Sequence, residues 1–463
     1  MTATTPPSEK LSWQTKLAFG VGDLSPAVVS AINGFFLNAF LLDVAGMRPG
    51  AVALVLLIVK IWDAVNDPLM GTLSDRTKSK WGRRRPWLLW GAVPFGVLYI
   101  LQWLVPPLGD LGKFWYYLVV AILLDAAYTA VNVPYSALTP ELTHDYDERT
   151  SLSSYRFAFS ILGGVLAASL HKTIVDAIAP GAGTFVAHTV SAAIWAFFII
   201  TPNFVTFAFT RETHFKEDRP EGPGFWEGLR IVFQNQAFVT VAFIRLLSWL
   251  SVQFIQANLL IYVRYWVGGE KYFPILILAI QVSSFLFMML WNRVSAKIGK
   301  KKTYYVGMLF MIVVLLVMFF VQPGQIGLLF VLGILAGGGV GTSYLIPWSM
   351  IPDVVELDEL ETGQRREGIY YGFFVFLQKL GISLGLMISN AILETTGYIN
   401  PVAGQAYPDQ PQAVLTALRT FVSFAPVVVL LLSFVAVYRY PITRERHAEI
   451  RAELAKRAAA SAD

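Results

Sequence analysis

Long apolar stretches recur along the chain, with short polar breaks between them. A helix that spans the hydrocarbon core of a bilayer needs about 20 mostly apolar residues. Twelve such stretches can be drawn, six before a longer polar break and six after it, at approximately 17–42, 51–73, 86–106, 113–138, 154–177, 185–210, 237–265, 271–292, 303–322, 325–351, 368–395 and 412–439. The pattern predicts an all-α membrane protein with about twelve transmembrane helices.

The longer polar segments predict the limits of the domains. Residues 211–227 begin with a charged, proline-rich run, and they are interpreted as a cytoplasmic linker between two six-helix bundles, 1–210 and 228–442. Residues 443–463 form a charged tail with helix-forming composition.

Composition supports a membrane protein and argues against a soluble enzyme. Hydrophobic residues make up 55% of the chain and charged residues only 14%, whereas soluble domains carry about 25% charged residues. The absence of cysteine excludes disulfides, thiolate metal sites and cysteine nucleophiles. No phosphate-binding glycine loop or nucleophile triad is found, so we expect neither enzymatic chemistry nor a cofactor.

The basic residues predict the orientation in the membrane. Loops on the cytoplasmic side of membrane proteins are enriched in Lys and Arg. Two loops, after the second and eighth stretches, are rich in them, whereas loops on the other face carry few. The basic residues of the two loops are Arg76, Lys78, Lys80, Arg83, Arg84, Arg85, Arg293, Lys297, Lys300, Lys301 and Lys302. Both termini are therefore predicted to be cytoplasmic, in a multi-pass cell-membrane protein, expected as a monomer. We assign the net charge of +5 to this topology and expect no nucleic-acid partner.

The two halves share motifs at corresponding positions. Residues 71–85 and 291–302 each place an Asp-Arg or Asn-Arg pair before a glycine and a basic triplet. The segment from Pro134 to Glu141 corresponds to the segment from Pro347 to Asp353. Such a duplication with parallel halves is the architecture of the major facilitator superfamily, in which substrate binds near the midplane and the halves rock to alternate access.

The duplicated loops are candidates for a cytoplasmic gate. One interpretation is that their charges only anchor the loops at the cytoplasmic surface. The other is that Asp75 pairs with arginines or a helix end in one conformation only. The residues that would form the gate are Asp75, Arg76, Arg83, Arg84, Arg293, Glu141 and Asp353.

Charged residues inside the second stretch are the strongest functional signal. Lys60, Asp63, Asn66 and Asp67 lie at i, i+3, i+6 and i+7, and so share one helical face. A charge at the bilayer centre costs at least ~2.5–3.5 kcal/mol, and two carboxylates one turn apart also repel each other. Such a pair can bind a cation such as Na⁺, hold a proton, or form an internal salt-bridge cluster with Lys60.

The fourth stretch adds polar groups that should face the bundle interior. Tyr128, Thr129 and Asn132 precede Pro134, which is expected to break the helix and free backbone carbonyls. These side chains line a cavity or form hydrogen bonds between helices.

Three charged residues on other stretches are further candidates. Arg156 is either a cavity residue or an interface residue whose side chain reaches toward the headgroups. Asp23 is either a cavity residue or a helix N-cap. Lys379 lies deep in the eleventh stretch, from where reaching the interface is difficult, which favours a functional role.

At these residues the chain resembles the glycoside–pentoside–hexuronide:cation symporters, the family of melibiose permease. The similarity covers nearly the whole chain and is carried by residues 11–23, 61–71, 132–138, 147–156 and 347–356. It implies a small-molecule substrate and coupling to Na⁺ or H⁺.

The resemblance also implies roles for individual residues. Asp63, Asp67 and Thr129 match the family's cation site. Tyr128, Asn132, Arg156, Lys379 and Tyr344 match substrate-cavity positions. Ala27 and Asn132 stand where melibiose permease has sugar-binding aspartates, so the resemblance does not imply galactoside specificity.

Residues 40–45, 133–138, 346–354 and 440–442 are also similar to the sodium-dependent lysophosphatidylcholine symporters. In that group the residue matching Lys379 would meet a phosphate. The sequence thus leaves three functions open, which are cation-coupled sugar symport, sodium-linked lysophospholipid transport, and a receptor or scaffold without transport.

Overall fold

The computed structural model describes residues 10–143, 146–212, 225–364, 366–402 and 407–460, and within these ranges the chain is helical without β-strands. Eleven helical segments in these ranges are long and apolar enough to cross a membrane. The chain divides into two compact units, one of residues 1–219 with 400–408 and one of residues 220–399 with 409–463.

The first unit contains eight α-helices in the described ranges. They are α1 (Trp13–Val21), α2 (Leu24–Ile32), α3 (Pro49–Arg76), α4 (Arg85–Gln102), α5 (Asp110–Ala137), α6 (Thr139–Leu142), α7 (Tyr146–Ala182) and α8 (Thr184–Phe209). The first predicted span is interrupted, because α1 and α2 are separate helices and α2 continues into the π-helical segments Asn33–Leu37 and Phe40–Val44.

The second unit contains the remaining nine α-helices of the described ranges. They are α9 (Phe225–Gln234), α10 (Gln236–Tyr262), α11 (Phe273–Ile298), α12 (Lys300–Met318), α13 (Ile326–Thr362), α14 (Glu367–Thr395), α15 (Gln412–Val422), α16 (Phe424–Arg439) and α17 (Arg444–Ala460). The twelfth predicted span is divided at Ser423 into α15 and α16. Helix α9 was not predicted.

The third predicted span is the weakest of the twelve. Helix α4 is 18 residues long, begins at Arg85 and ends at Gln102, and it is not among the eleven membrane-crossing segments. It still packs between α5 and α8 in the first unit. Its buried side chains include Leu88, Phe95 and Tyr99.

Pro134 does not break the fourth span, contrary to the prediction. It lies inside α5, which continues to Ala137. A proline removes one backbone hydrogen bond and bends a helix, but close to a helix end the remaining turn can be held by packing. Here Tyr135 is buried next to Pro134, and its hydroxyl donates a hydrogen bond to the carbonyl of Phe19 at 2.6 Å.

Small residues let helices of the second unit approach closely. Gly341 on α13 faces α11, and a Cβ atom at this position would lie 2.8 Å from the backbone oxygen of Ser284. Backbone cannot move aside as a flexible side chain can. Gly327, at the start of the same helix, has no neighbouring atom within 4 Å of a Cβ position.

We therefore expect Gly341→Ala to destabilise the protein by about 1–3 kcal/mol through overpacking. Gly327→Ala should be neutral or slightly stabilising, because alanine favours helix and meets open space. Thermal unfolding of the purified protein in detergent measures both. Equal melting temperatures for the two variants would show that α11 and α13 are not in close contact at Gly341.

Candidate transport site

The charged face of α3 forms an internal ion pair. Lys60 Nζ lies 3.3 Å from Asp63 Oδ2. The Asp63 side chain is only 4% exposed, whereas that of Lys60 is 29% exposed. The ion pair compensates part of the cost of burying Asp63. Asp67 lies one turn further along the same helix and adds a second carboxylate to this face.

Helix α5 meets this face of α3 with polar groups. The fully buried Thr129 hydroxyl donates a hydrogen bond to Asp67 Oδ1 at 3.1 Å. The buried Asn66 amide donates to the backbone oxygen and to Oδ2 of Asp125, both at 3.4 Å. Of the predicted cation-site residues, Asn66, Asp67 and Thr129 thus meet between α3 and α5, and Asp63 pairs with Lys60 on α3.

Asp125 is a residue that the sequence reasoning missed. It lies four residues before Thr129 and seven before Asn132, so all three share one face of α5. The same helical spacing that singled out the α3 aspartates would have found it.

The donor atoms of this cluster fit Na⁺ better than a transition metal. Carboxylate, hydroxyl and amide oxygens are the ligands that hard cations prefer. Among the described residues, no group of three or more His, Cys, Asp or Glu side chains is arranged to hold a metal ion. A cation bound here would therefore depend on at most two carboxylates together with neutral oxygens.

Asp23 and Arg156 form a second ion pair in the first unit. Arg156 Nη2 lies 3.0 Å from Asp23 Oδ1, and the guanidinium lies 4.7 Å from the ring centre of Tyr135. Asp23 occupies the N-cap position of α2 but makes no side-chain cap hydrogen bond there, and its carboxylate pairs with Arg156 instead. Arg156 has an internal partner, which favours the cavity interpretation over the interface interpretation.

The remaining substrate candidates divide between the units. In the first, the Asn132 amide donates to the Tyr128 hydroxyl at 3.4 Å, and the Tyr128 ring contacts Phe95 edge to face. In the second, Tyr344 packs edge to face against Trp249, with ring centres 4.9 Å apart. Lys379 is half-buried on α14.

The second unit holds a buried arginine beside these two residues. Arg245 on α10 is 1% exposed, and it donates to the carbonyl of Ser343 at 3.2 Å and to the side chain of Gln378. These acceptors immediately precede Tyr344 and Lys379 in sequence. Arg245 therefore fixes the helix positions from which both candidates project.

The loop after α3 forms an ion-pair network in the first unit. Arg84 Nη2 lies 2.9 Å from Asp75 Oδ1, and Arg84 Nε lies 2.7 Å from Glu141 Oε1. Arg83 Nε also donates to Glu141 Oε1, at 3.0 Å. Asp75 thus pairs with an arginine, as the gate hypothesis requires of one conformation.

The corresponding pair is present in the second unit. Lys300 Nζ lies 2.6 Å from Asp353 Oδ1, and His447 Nε2 lies 3.4 Å from the same oxygen. Asp353 and Glu141 occupy equivalent positions in the sequence repeat, and both contact the basic triplet of their own unit. Arg76 and Arg293 are exposed and take part in neither network within the described residues.

Burial dominates the electrostatics of the first network. It raises the pKa of Glu141 above the usual range of a glutamate, although Arg84 and Arg83 act in the opposite direction. It also lowers the pKa of Arg84. Both shifts show that the network holds its charges against a desolvation cost.

A carboxyl group whose pKa is raised by folding costs stability while it is ionised, and that cost disappears as the pH falls through the raised pKa. We therefore expect Glu141→Gln to raise the melting temperature at pH 7. The gain should shrink as the pH falls through the raised pKa of Glu141. Glu449→Gln, in an exposed surface pair, is the control and should show no such trend. If the melting temperatures of Glu141→Gln and the wild type differed by the same amount at every pH, ionisation of Glu141 would not be the cause.

Comparisons with known proteins agree with the fold and identify the family. The family model described as MFS/sugar transport protein matches residues 18–444. An uncharacterised symporter of Synechocystis is 38% identical, covering 97% of this chain and 98% of its own length. The sodium-dependent lysophosphatidylcholine symporter 1-A of Danio rerio is 29% identical over 93% of this chain and 86% of its own.

A protein named as a glycoside/cation symporter in Escherichia coli is also 29% identical, covering 98% of this chain and 97% of its own. The crystal structure of the nucleoside transporter NupG superposes with a TM-score of 0.62 at 14% identity, covering 92% of this chain and 99% of that one. The similarity to NupG concerns the fold alone. The chain belongs to the MFS/sugar transport protein family, and it is a cation-coupled symporter of the major facilitator fold rather than an enzyme.

Proposed function

We propose that this protein couples the entry of Na⁺ to the uptake of a sugar or glycoside by alternating access. The observation that carries the proposal is the cluster of buried oxygen ligands between α3 and α5. Asp63 and Asp67 supply negative charge, and Thr129 and Asn66 supply neutral groups beside them.

Na⁺ is the preferred coupling ion because these ligands are oxygens and because Lys60 can leave Asp63 when a cation arrives. A proton held by one of the aspartates is the alternative. Binding of the cation would order the ends of α3 and α5, and cargo bound to the ordered cavity would tighten the cation reciprocally.

The ion pair of Asp23 with Arg156 is the proposed sugar-binding group. A carboxylate and a guanidinium held side by side accept from and donate to neighbouring hydroxyls, and the adjoining Tyr135 ring gives an apolar surface. Tyr128 and Asn132 extend the polar surface along α5. Lys60 is a further proposed substrate-binding residue of the first unit, and Tyr344 and Lys379 are those of the second.

The ion pairs at Glu141 and Asp353 are the proposed cytoplasmic gate. With both termini and residues 211–227 in the cytoplasm, these networks would break and form as the two bundles rock. The protein is proposed to act as a monomer in the cell membrane. A receptor or scaffold would not need a cation site together with two matching gate networks.

A lysophospholipid is the second candidate cargo. It is favoured by the similarity to the Danio rerio symporter, which covers most of both chains. Lys379 would then contact a phosphate group instead of a sugar hydroxyl.

Asp63→Asn should abolish accumulation driven by a Na⁺ gradient in proteoliposomes, because the amide removes the negative charge that binds the ion. We expect a loss of at least about tenfold, the effect of removing one charged interaction. Asp176→Asn is the matched control, since Asp176 is a half-exposed partner of Lys172 on α7. Unchanged accumulation in the Asp63 variant would refute the coupling site, and accumulation driven only by a pH gradient in the wild type would identify H⁺ as the ion.

The cargo can be identified by thermal shift. We expect monosaccharides or methyl glycosides to raise the melting temperature more in Na⁺ than in K⁺, because cation and cargo stabilise the same state. Lysophosphatidylcholine below its micellar concentration is the competing probe. A sodium-dependent shift with the lysolipid and none with any sugar would replace the proposed cargo by the second candidate.

A further inference from the structure

Glu212 makes an unusual set of contacts just after α8. Its Oε2 accepts a hydrogen bond from the backbone amide of Arg83 at 2.8 Å. Its Oε1 accepts from the amides of Arg84 at 2.9 Å and Arg85 at 2.8 Å. Three consecutive amides at the start of α4 therefore converge on one carboxylate, and they form an anion nest at a helix N-terminus.

Gly82 completes this nest. Its φ of +100° lies in the region that favours glycine, and a Cβ atom here would overlap the Glu212 carboxylate. The backbone bends at Gly82 so that the three amides face the same point. Both the conformation and the space thus require glycine while Glu212 is bound.

The same three residues carry the gate network in their side chains. Arg83 and Arg84 contact Glu141, and Arg85 lies over the ring of Phe207 at 4.7 Å. Their backbone is held by Glu212 while their guanidinium groups form the network. Glu212 also follows directly after Arg211, where the chain leaves the first bundle.

The end of the second bundle repeats the sequence but not the contact. Thr-Arg-Glu occurs at 210–212 and again at 443–445. Gly299, with a φ of +84°, precedes Lys300–Lys302 as Gly82 precedes Arg83–Arg85. The nearest atom to a Cβ at Gly299 is Arg444 Cβ at 3.7 Å, and Glu445 is exposed. Glu212 thus binds the amides of the basic triplet that follows Gly82, whereas Glu445 is exposed.

We propose that Glu212 is a positioning residue of the cytoplasmic gate. Its carboxylate holds the backbone of the Arg83–Arg85 triplet so that the guanidinium groups meet Glu141 and Asp75. Displacement of the segment that follows α8 withdraws the carboxylate and releases the triplet. Glu445 is the corresponding group of the second unit, in its released position.

A double-mutant cycle tests the contact itself. Gly82→Ala should be strongly destabilising, since its methyl group overlaps the carboxylate. Glu212→Ala removes that overlap, so the double variant should be more stable than the sum of the single effects predicts. Gly183→Ala is the matched control, because Gly183 has a φ of +82° with no atom near a Cβ position. The effects of Gly183→Ala and Glu212→Ala on stability should add. If the effects of Gly82→Ala and Glu212→Ala added equally well, the contact would be refuted.

Hydrogen exchange tests the positioning role without any cargo. In Glu212→Gln, the amides of Arg83–Arg85 should exchange roughly tenfold faster or more, the effect of losing hydrogen bonds to a charged acceptor. Trypsin should also cleave faster after Arg83 and Arg84 in inside-out vesicles. Glu212→Asp should restore protection partly, and millimolar formate should restore it in Glu212→Ala by entering the vacated nest.

Gly183→Ala supplies the control for global destabilisation, and its Arg83–Arg85 amides should exchange as in the wild type. Unchanged exchange and cleavage in Glu212→Gln would overturn the proposal, as would faster exchange that is equal over the whole chain. Neither readout depends on Na⁺ or sugar. Failure of the proposed transport function would leave these results unaffected.

Discussion

The energetic cost of charge in a bilayer is the constraint on which this structure depends. Hydrocarbon offers no water to solvate a carboxylate or a guanidinium, so each such group must find a partner within the protein. Asp63 pairs with Lys60 and Asp23 pairs with Arg156, both in the first unit. In the proposed function, an ion or a polar cargo competes for these partners, so the groups that are costly for folding are the ones proposed to act in transport.

Burial and ion pairing also oppose each other in the network of Glu141 and Arg84. Burial of Glu141 and Arg84 shifts the pKa of each toward neutralisation despite their contact. A network in this balance can be broken at small cost when the surrounding helices move. In the proposed gate, the backbone contacts of Glu212 hold the geometry of this network.

The apolar pattern of the sequence was sufficient to predict most of the fold, because helices in a bilayer have a minimum length and few polar residues. It was insufficient at α4, where polar ends shorten the helix, and at α9, which is too short to carry the signal. Pro134 misled the prediction because a proline near a helix end can be accommodated by packing that sequence does not reveal. In the site, helical spacing predicted which polar residues share one face of α3. Arg156 contacts the ring of Phe19, and Glu212 contacts the backbone of Arg83. The residues of each pair lie more than 100 positions apart, so no local pattern encodes the contact.

Asn400 shows that the duplicated halves are no longer independent pieces of chain. This residue follows α14 of the second unit, yet it is part of the first, where its amide donates to the carbonyls of Leu42 at 2.7 Å and Met47 at 2.9 Å. The polypeptide therefore passes from one unit to the other three times. A chain cut at the linker would therefore give a first fragment without the amide that binds these two carbonyls.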